Sequence, residues 1–438
     1  MLAILGFLSV IFLLVVVMTK KLSPTVALIV VPSVMAFIGG FGFKDVSGFI
    51  TDGIKTISPT GVMFIFAILF FGILSDAGTF DPIINKILKV VGNDPVKIAI
   101  GSAILAMCVH LDGSGAVTFI IAIPALLPLY DAIGMSRATL ATIVAIAAGT
   151  MNMVPWGGPT IRAATSLNVP INELFNPMII PMVAGLITVL IIAGFLGKNE
   201  KKRIGDAALT NASNVDLSGI NKEADEKKLS LKRPKLFAIN IILIIVAIAV
   251  MISNLLQPQV TFMFAFCLAI VINYPSVKLQ RELIDAHAKE ALMMASVLFA
   301  AGAFTGIMKG STMITAMSES IVQVIPTAMG RFIPLIVGVV SMPMSLLFDP
   351  DSFYFGVLPV LSSAASQFGV DPMMVGRASI IGQMTTGFPI SPLTAATFLL
   401  IGLAGVELGE HQKKTIPLAW LISLVMLAVS VVIGVISI

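Results

Sequence analysis

Length, composition and charge separate this chain from ordinary soluble proteins. It has 438 residues, of which 57% are hydrophobic and only 11% are charged, whereas about a quarter of the residues of a soluble domain are charged. Its two cysteines, Cys108 and Cys267, lie in apolar runs and offer neither a disulfide framework nor a metal-ligand spacing. The composition predicts a polytopic membrane protein and excludes a soluble enzyme or a nucleic-acid-binding protein.

The first predicted element is a retained helix rather than a cleaved signal peptide. The apolar run 1–18 is followed by Lys20 and Lys21, whereas a cleavable signal carries its positive charge first. In all, ten segments are apolar enough to span a bilayer, which takes about 20 residues each. These spans are 2–18, 22–41, 59–76, 138–165, 175–197, 236–254, 259–274, 291–308, 372–398 and 416–437.

Two further apolar regions, 96–131 and 332–366, are interrupted at mid-length by polar, turn-forming residues. We predict that each is a re-entrant hairpin, because irregular backbone is tolerated at membrane depth only where protein or a water-filled cavity satisfies it. A polar stretch, 198–235, has the composition of a flexible cytoplasmic linker. It separates a first half, 1–197, from a second half, 236–438.

The positions of the basic residues predict the orientation of the chain in the membrane. If the linker is cytoplasmic, 21 of the 27 Lys and Arg residues fall on the cytoplasmic side, ten of them in the linker itself. Four fall outside and two lie within spans, so the opposite orientation would place most of the positive charge outside. We therefore predict a multi-pass protein of the cell (inner or plasma) membrane with both termini extracellular.

The two halves repeat at an offset of about 235 residues. Gly134 after the first hairpin matches Gly369 after the second, and Pro124 matches Pro359. Because each half has five spans, an odd number, the second half must enter the membrane upside down. The predicted fold is thus all-α, with two inverted repeats that each contain one hairpin and one broken helix. In secondary transporters such interruptions mark the substrate site.

The tip of the first hairpin reads His110-Leu-Asp-Gly-Ser-Gly-Ala116. Gly113 allows a sharp turn, and either Asp112 or Ser114 can cap the returning helix. A cap alone would explain Asp112, but an ionisable group at this depth is by default functional. His110 either accepts a coupling proton or is buried, neutral and hydrogen-bonded.

The first broken helix, 138–165, is interrupted by Asn152-Met-Val-Pro-Trp-Gly-Gly-Pro-Thr160. Two prolines and two glycines within five positions rule out a continuous helix, and Pro159 suits the first turn of the restarted half. The new N-terminus would present backbone donors to a carboxylate. Arg162 either pairs with the substrate or forms an ion pair with a hairpin aspartate.

The second hairpin tip, 348–353, contains two aspartates of different character. Asp349 precedes a proline, which is typical of a helix cap, so Asp351 is the stronger functional candidate. In the second broken helix, 372–398, Ser391 precedes a proline and repeats the cap pattern, and Thr394 is expected to face the same cavity.

Together the four motifs predict a site for an anion that arrives with positive charge. The helix ends, hydroxyls and Arg162 suit an anion, whereas aspartates repel a bare polyanion unless they hold a cation or a proton. The predicted substrate-binding residues are Asp112, Gly113, Ser114, Asn152, Gly157, Gly158, Thr160, Arg162, Asp351, Ser352, Ser391 and Thr394. The candidates for metal or proton coupling are Asp112, Asp349, Asp351 and His110.

These residues resemble the CitMHS family of citrate–metal:proton symporters, within the ion-transporter superfamily. The resemblance is carried by residues 111–115, 152–162 and 1–7. It implies import of citrate complexed to a divalent metal of the magnesium or calcium type, driven by protons, with no permanent cofactor. It also implies a homodimer with a scaffold and a mobile, elevator-type transport domain that carries both hairpins.

Two other functions compete with this one. A symporter of another organic acid, gluconate or a dicarboxylate, coupled to protons or sodium, would share the architecture. An intramembrane hydrolase is disfavoured, because the chain has no H-E-x-x-H zinc motif and no serine–histidine pairing beyond Ser114 near His110. We therefore expect a transporter rather than an enzyme.

Overall fold

A computed structural model of the chain describes residues 1–19, 21–205, 226–253, 255–323 and 326–437. Within these ranges the regular structure is helical and no β-strand occurs, so the all-α prediction is confirmed. The middle of the predicted linker, 206–225, lies outside the described residues.

The helices of the first half are α1 (Leu2–Met18), α2 (Pro24–Ile38), α3 (Phe43–Asp76), α4 (Asp81–Val91), α5 (Pro95–Val109), α6 (Gly115–Ile133), α7 (Arg137–Met151), α8 (Gly158–Leu167), α9 (Ile171–Phe175) and α10 (Ile179–Ile204). Those of the described second half are α11 (Glu226–Leu231), α12 (Phe237–Ile252), α13 (Pro258–Asn273), α14 (Val277–Gly310), α15 (Met313–Val322), α16 (Thr327–Gly330), α17 (Ile333–Met344), α18 (Leu358–Gln367), α19 (Pro372–Ile380), α20 (Ala395–Ala404) and α21 (Leu408–Val432).

Many of these helices have the length and apolarity of membrane spans. Among the described residues seven qualify, or eight if Pro372–Ile390 and α20, bent by 45°, count as one broken span. The seven include Pro95–Asp112 and α6, the two arms of the first predicted hairpin. A multi-span membrane protein is therefore confirmed, whereas the ten-span count and the hairpins stay predictions, because length and apolarity do not distinguish a span from a re-entrant segment.

The helices recur in the same order in the two halves. α3 and α14 both have 34 residues and begin at Phe43 and Val277, 234 positions apart. α7 and α19 begin at Arg137 and Pro372, 235 positions apart. A glycine with positive φ precedes each of these two helices: Gly134, at 79°, precedes α7, and Gly369, at 77°, precedes α19. Glycine adopts this conformation without strain. The order and local turn geometry repeat, while the inversion of the second half stays a prediction.

The long helices α3 and α14 pack side by side through glycines. A Cβ atom at Gly53 would lie 2.0 Å from the carbonyl oxygen of Gly302, and one at Gly306 would lie 3.0 Å from the Cα atom of Gly53. Small residues four positions apart let membrane helices approach this closely. Further along the pair, His287 Nε2 lies 2.8 Å from Asp76 Oδ2. These two helices supply one wall of the cavity described next.

Candidate functional site

A cavity of about 290 Å³ lies where the four sequence motifs meet. Both hairpin tips, both breaks, α3 and α14 contribute to its walls. The lining includes seven of the predicted site residues: Asp112, Gly113, Ser114, Asn152, Gly158, Arg162 and Thr394. The other predicted residues lie outside this lining, and each has a contact described below.

The first tip turns through a short 3-10 segment, His110–Asp112. Gly113 follows with φ 77°, and Asp112 Oδ1 accepts a hydrogen bond from the Ser114 N–H at 2.8 Å. The Ser114 hydroxyl accepts from the Val117 N–H at 3.4 Å, which makes Ser114 the N-cap of α6. Of the two predicted caps, Ser114 is the one observed, and Asp112 closes the turn beside the cavity.

His110 is fully buried and has a hydrogen-bond partner at each ring nitrogen. Its Nδ1 lies 2.8 Å from Thr118 Oγ1, and its Nε2 lies 3.4 Å from Asn152 Oδ1. The ring also stacks on Phe388 with 5.8 Å between centroids. His110 is thus buried and hydrogen-bonded, as one of the two interpretations expects, and its part in proton coupling stays a prediction.

The first break separates α7 from α8 and depends on a glycine. A Cβ atom at Gly157 would lie only 2.1 Å from the carbonyl oxygen of Asn152. α8 then begins at Gly158 with Pro159 in its first turn, as predicted. The Thr160 hydroxyl donates to a carbonyl inside the break at 2.7 Å, so it holds the break together.

Arg162 forms an ion pair with a hairpin aspartate and also lines the cavity. Its Nε lies 2.7 Å from Asp351 Oδ1, and the two side chains are only 10% and 11% exposed. The aspartate pairing is therefore the observed alternative. Because a guanidinium group has five N–H donors, Arg162 can keep this bond and still present donors to a bound anion.

Asp349 in the second tip acts as a cap. Its Oδ1 accepts from the backbone N–H groups of Asp351 at 3.0 Å and Ser352 at 3.1 Å, and the Ser352 hydroxyl donates to its Oδ2. The predicted capping role of Asp349 is confirmed. At this tip the residue that lines the cavity is Pro350.

The second break is longer than the sequence pattern predicts. α20 begins at Ala395 with Thr394 as its N-cap, so the prediction of a helix start directly after Ser391 is wrong. The reason is local, because the Thr394 hydroxyl donates to the carbonyl of Phe388 at 2.8 Å and holds the segment before α20 in a non-helical turn. Ser391 is fully buried and donates to the carbonyl of Ser345 at 2.5 Å.

Asn152 connects the two breaks directly. Its Nδ2 donates to the carbonyl of Met384 at 2.8 Å. Met384 has φ 53° and ψ 19°, a conformation outside the helical region, and it also lines the cavity. This side-chain hydrogen bond therefore links the two interrupted helices at the cavity wall.

Glu290 lines the cavity and was not predicted from the sequence. It lies on α14, directly before the predicted span 291–308, among residues assigned to the cytoplasmic side. Its Oε1 accepts from the Ser114 hydroxyl at 3.4 Å. A signal was present: His287 and Met294 stand three residues before and four residues after it, so an unbroken helix places all three on one face.

The cavity contains two carboxylates without a basic partner. Among the described residues Arg162 pairs with Asp351, and neither Asp112 nor Glu290 takes part in any ion pair. Both are hydrogen-bonded to Ser114, so they lie near one another. Two ionised carboxylates in such proximity repel each other, and a cation, or a proton on one of the two, relieves the repulsion.

Several membrane-length helices, together with a cavity between interrupted helices that contains charged side chains, are typical of a multi-span membrane transporter. Residues 13–382 match the citrate transporter family, CitMHS. The chain belongs to this family, as its motifs predicted. The family and the named relatives are transporters, so the prediction that the chain is not an enzyme is confirmed.

Two relatives from Bacillus subtilis (strain 168) match the chain over its whole length and theirs. One, named citrate transporter, is 46% identical over 437 residues. The other, named Mg(2+)/citrate complex secondary transporter, is 43% identical over 438 residues. Among solved structures, the YdaH transporter of Alcanivorax borkumensis superposes with a TM-score of 0.55 over 88% of each chain at 12% identity, a likeness that concerns the fold alone.

Proposed function

We propose that this transporter imports citrate as a complex with a divalent metal ion and that protons move with the complex. The observation that carries the proposal is one cavity that holds Arg162 together with Asp112 and Glu290, which have no basic partner in the described chain. Free citrate, with its three carboxylates, would be repelled by these two side chains, whereas a metal complex brings compensating charge. A relative 43% identical to the chain carries the name of a Mg(2+)/citrate complex transporter.

The carboxylates of citrate would bind at the start of α8. Gly158 and Arg162 line the cavity there, and the free N–H groups of a helix N-terminus attract anions. A Cβ atom at Gly158 would lie 2.8 Å from an Arg162 Nη1, so the glycine leaves room for the guanidinium group. The Asn152 amide already donates to Met384 and helps to fix this wall.

The metal ion of the complex would face Asp112 and Glu290. Mg²⁺ prefers about six oxygen ligands and keeps several of its waters. Within the described residues no group of three His, Cys, Asp or Glu side chains could hold a metal ion, so citrate and water would supply most of the ligands. We therefore treat the metal as cargo, of the magnesium or calcium type, rather than as a resident cofactor.

The coupling proton would reside on the same two carboxylates. The other candidates are engaged elsewhere: Asp349 caps a helix, Asp351 pairs with Arg162, and His110 is buried between two hydrogen-bond partners. Asp112 and Glu290 are adjacent to the cargo, and a proton on either one would relieve their mutual repulsion when no metal is bound. Protonation would then alternate with binding of the complex.

The membrane arrangement forms part of the proposal. Halves 1–197 and 236–438 would be inverted repeats in the plasma membrane, with both termini outside. The recurrence of helix order and of turns at Gly134 and Gly369 supports the repeat. The cavity is bounded by α3 and α14 on one side and by the tips and breaks on the other. This division is consistent with a scaffold and an elevator-type transport domain in a homodimer.

The alternative is a symporter of another organic acid, such as gluconate or a dicarboxylate, coupled to protons or sodium. The anion-binding groups at the start of α8 would serve such a substrate equally well. An uptake rate that depends on sodium and does not change with the concentration of divalent metal ions would favour this alternative.

Uptake of labelled citrate into proteoliposomes tests the proposal. Total citrate is held constant while Mg²⁺ or Ca²⁺ is titrated, and the initial rate is expected to follow the concentration of the metal–citrate complex. Collapse of an imposed inward proton gradient is expected to reduce accumulation. Citrate uptake that is indifferent to metal would refute the metal part, and uptake that is indifferent to the gradient would refute the proton part.

Glu290→Gln gives the matched test at the level of one residue. It keeps the shape and the contact with Ser114 but removes a charge, so we expect the metal dependence of uptake to weaken. Glu319→Gln on α15 removes a charge from an exposed residue outside the cavity and is expected to leave the metal titration unchanged. Identical titrations for the two variants would remove Glu290 from the proposed site.

A further inference from the structure

Side-chain donors satisfy three consecutive backbone carbonyls in the second break. The short 3-10 turn Phe388–Ile390 lies between α19 and α20. The carbonyl of Phe388 accepts from the hydroxyls of Thr394 at 2.8 Å and Thr397 at 2.9 Å. The next two carbonyls are satisfied from α21: Pro389 O lies 2.9 Å from His411 Nε2, and Ile390 O accepts from Gln412 Nε2 at 2.9 Å.

These bonds matter because a broken helix leaves backbone carbonyls without intrahelical partners. Where water is excluded, an unsatisfied carbonyl is costly, so broken helices depend on neighbouring side chains. His411 is fully buried, although it lies in a polar stretch, 410–414, that sequence composition assigns to solvent. The contact with Pro389 explains why a histidine is buried there.

The other nitrogen of the His411 ring is connected by hydrogen bonds to the first broken helix. His411 Nδ1 lies 3.3 Å from Thr415 Oγ1, which in turn lies 2.9 Å from Thr142 Oγ1 on α7. α7 ends at the first break and touches the second: a Cβ atom at Gly149 would lie 2.9 Å from the carbonyl oxygen of Thr385. One buried histidine is thus hydrogen-bonded on one side to the second break and on the other to a hydroxyl pair that reaches α7.

We propose that His411, assisted by Gln412, is a positioning residue that holds the second break against α7 and so keeps Thr394 and Met384 at the cavity wall. A ring with its proton on Nε2 donates to Pro389 O and accepts from Thr415, an assignment that follows from the hydrogen-bond network. His411 itself does not touch the cargo. The inference rests on the proposed function, because it treats this cavity as the cargo site.

The first test reconstitutes three variants in proteoliposomes and measures the KM and the maximal rate for uptake of the magnesium–citrate complex. His411→Leu removes the donor, and His411→Gln keeps one. Ser430→Ala is the matched control, because Ser430 on the same helix is also buried and its hydroxyl donates at 2.8 Å to Met426 O, a carbonyl within α21 itself. His411→Leu is expected to raise the apparent KM about tenfold, with a smaller change in maximal rate. His411→Gln and Ser430→Ala are expected to stay within about twofold of the wild type.

Equal KM values for His411→Leu and Ser430→Ala would overturn the proposal, and so would a His411→Gln variant as impaired as His411→Leu. If His411→Leu does not accumulate in the membrane, Gln412→Met carries the test, because it removes a donor from a half-buried residue. It is expected to raise the KM about threefold, and a wild-type KM would overturn the proposal.

A second readout does not depend on the identity of the cargo. Ala395 lines the cavity directly after Thr394, so Ala395→Cys, with Cys108 and Cys267 replaced by serine, reports the geometry of the break. The rate of maleimide labelling is expected to change severalfold when His411→Leu is added and to be unaffected by Ser430→Ala. Unchanged labelling with His411→Leu would contradict the positioning role. If the wild type takes up no metal–citrate complex, the proposed function fails while this labelling still decides the role of His411.

Discussion

Single residues at the site divide into those that present groups to the cavity and those that hold the chain in place. Arg162 belongs to both groups, because it lines the cavity and forms a bond of 2.7 Å to Asp351. Ser114 caps α6 and also bonds to two carboxylates. Such double roles mean that a substitution changes both stability and transport, so each needs a control that changes stability alone.

The Arg162–Asp351 pair is expected to be worth far more than an exposed pair. Asp351→Asn leaves a buried guanidinium group without its charge partner, a change that typically costs about 3–5 kcal/mol. The control is Asp131→Asn, which breaks the pair of Arg137 and Asp131, 2.7 Å long but 49% and 40% exposed, and is expected to cost about 1 kcal/mol or less. Thermal unfolding in detergent measures both. Equal shifts in Tm would contradict the structural importance of the buried pair.

Gly157→Ala is expected to abolish uptake, because the new Cβ atom would lie 2.1 Å from the Asn152 carbonyl oxygen and the first break would have to open. Gly48→Ala on α3 is the control, since a Cβ atom there meets nothing within 4 Å. Initial uptake rates, normalised to the amount of protein in the vesicles, measure the difference. Normal transport by Gly157→Ala would show that the break does not need the observed geometry.

Local sequence signals predicted the residues whose roles depend on near neighbours. The cap at Asp349 and the first-turn position of Pro159 follow from cap–proline patterns, which involve a few consecutive residues. Glu290 could not be found in this way, because its contact with Ser114 joins positions 176 residues apart. His411 was missed for a similar reason, since its burial depends on the shape of the second break.

At the scale of elements, the glycine contact between α3 and α14 sets the distance between the two longest helices. The sequence predicted spans 59–76 and 291–308, whereas each helix runs for 34 residues. The helices extend beyond the predicted spans because helix formation does not require apolar residues, and the additional turns, 43–58 and 277–290, contain more polar and charged residues. Hydrophobic runs thus locate membrane segments but do not give helix ends.

Gly306→Leu is expected to destabilise the protein strongly. A Cβ atom at this position already lies 2.2 Å from the carbonyl oxygen of Phe49, so a leucine would force α3 and α14 apart and disturb the cavity wall that they share. Gly402→Ala on α20, which meets nothing within 4 Å, is the control for adding a side chain to a helix. Tm in detergent and yield of monodisperse protein measure the effect, and a Tm equal to that of the control would refute tight packing here.

At the scale of the whole molecule, one cavity brings together groups from distant parts of the chain. Asn152 bonds to Met384 across 232 residues, and Arg162 bonds to Asp351 across 189. Composition and motifs were sufficient to predict an all-α membrane transporter and its family. They could not predict which motif residues face the cavity, because that depends on how the tips and breaks pack against each other.

The proposed entry of citrate together with its metal ion is tested most directly by counting both parts of the cargo in the same vesicles. Purified protein in proteoliposomes is supplied with labelled citrate and a labelled divalent metal ion, and the amounts of each inside are determined over time. Citrate and the metal ion are expected to enter in equal amounts, and EDTA outside the vesicles is expected to stop the entry of both. Citrate that continues to accumulate at the same rate after EDTA has removed the metal would contradict this expectation.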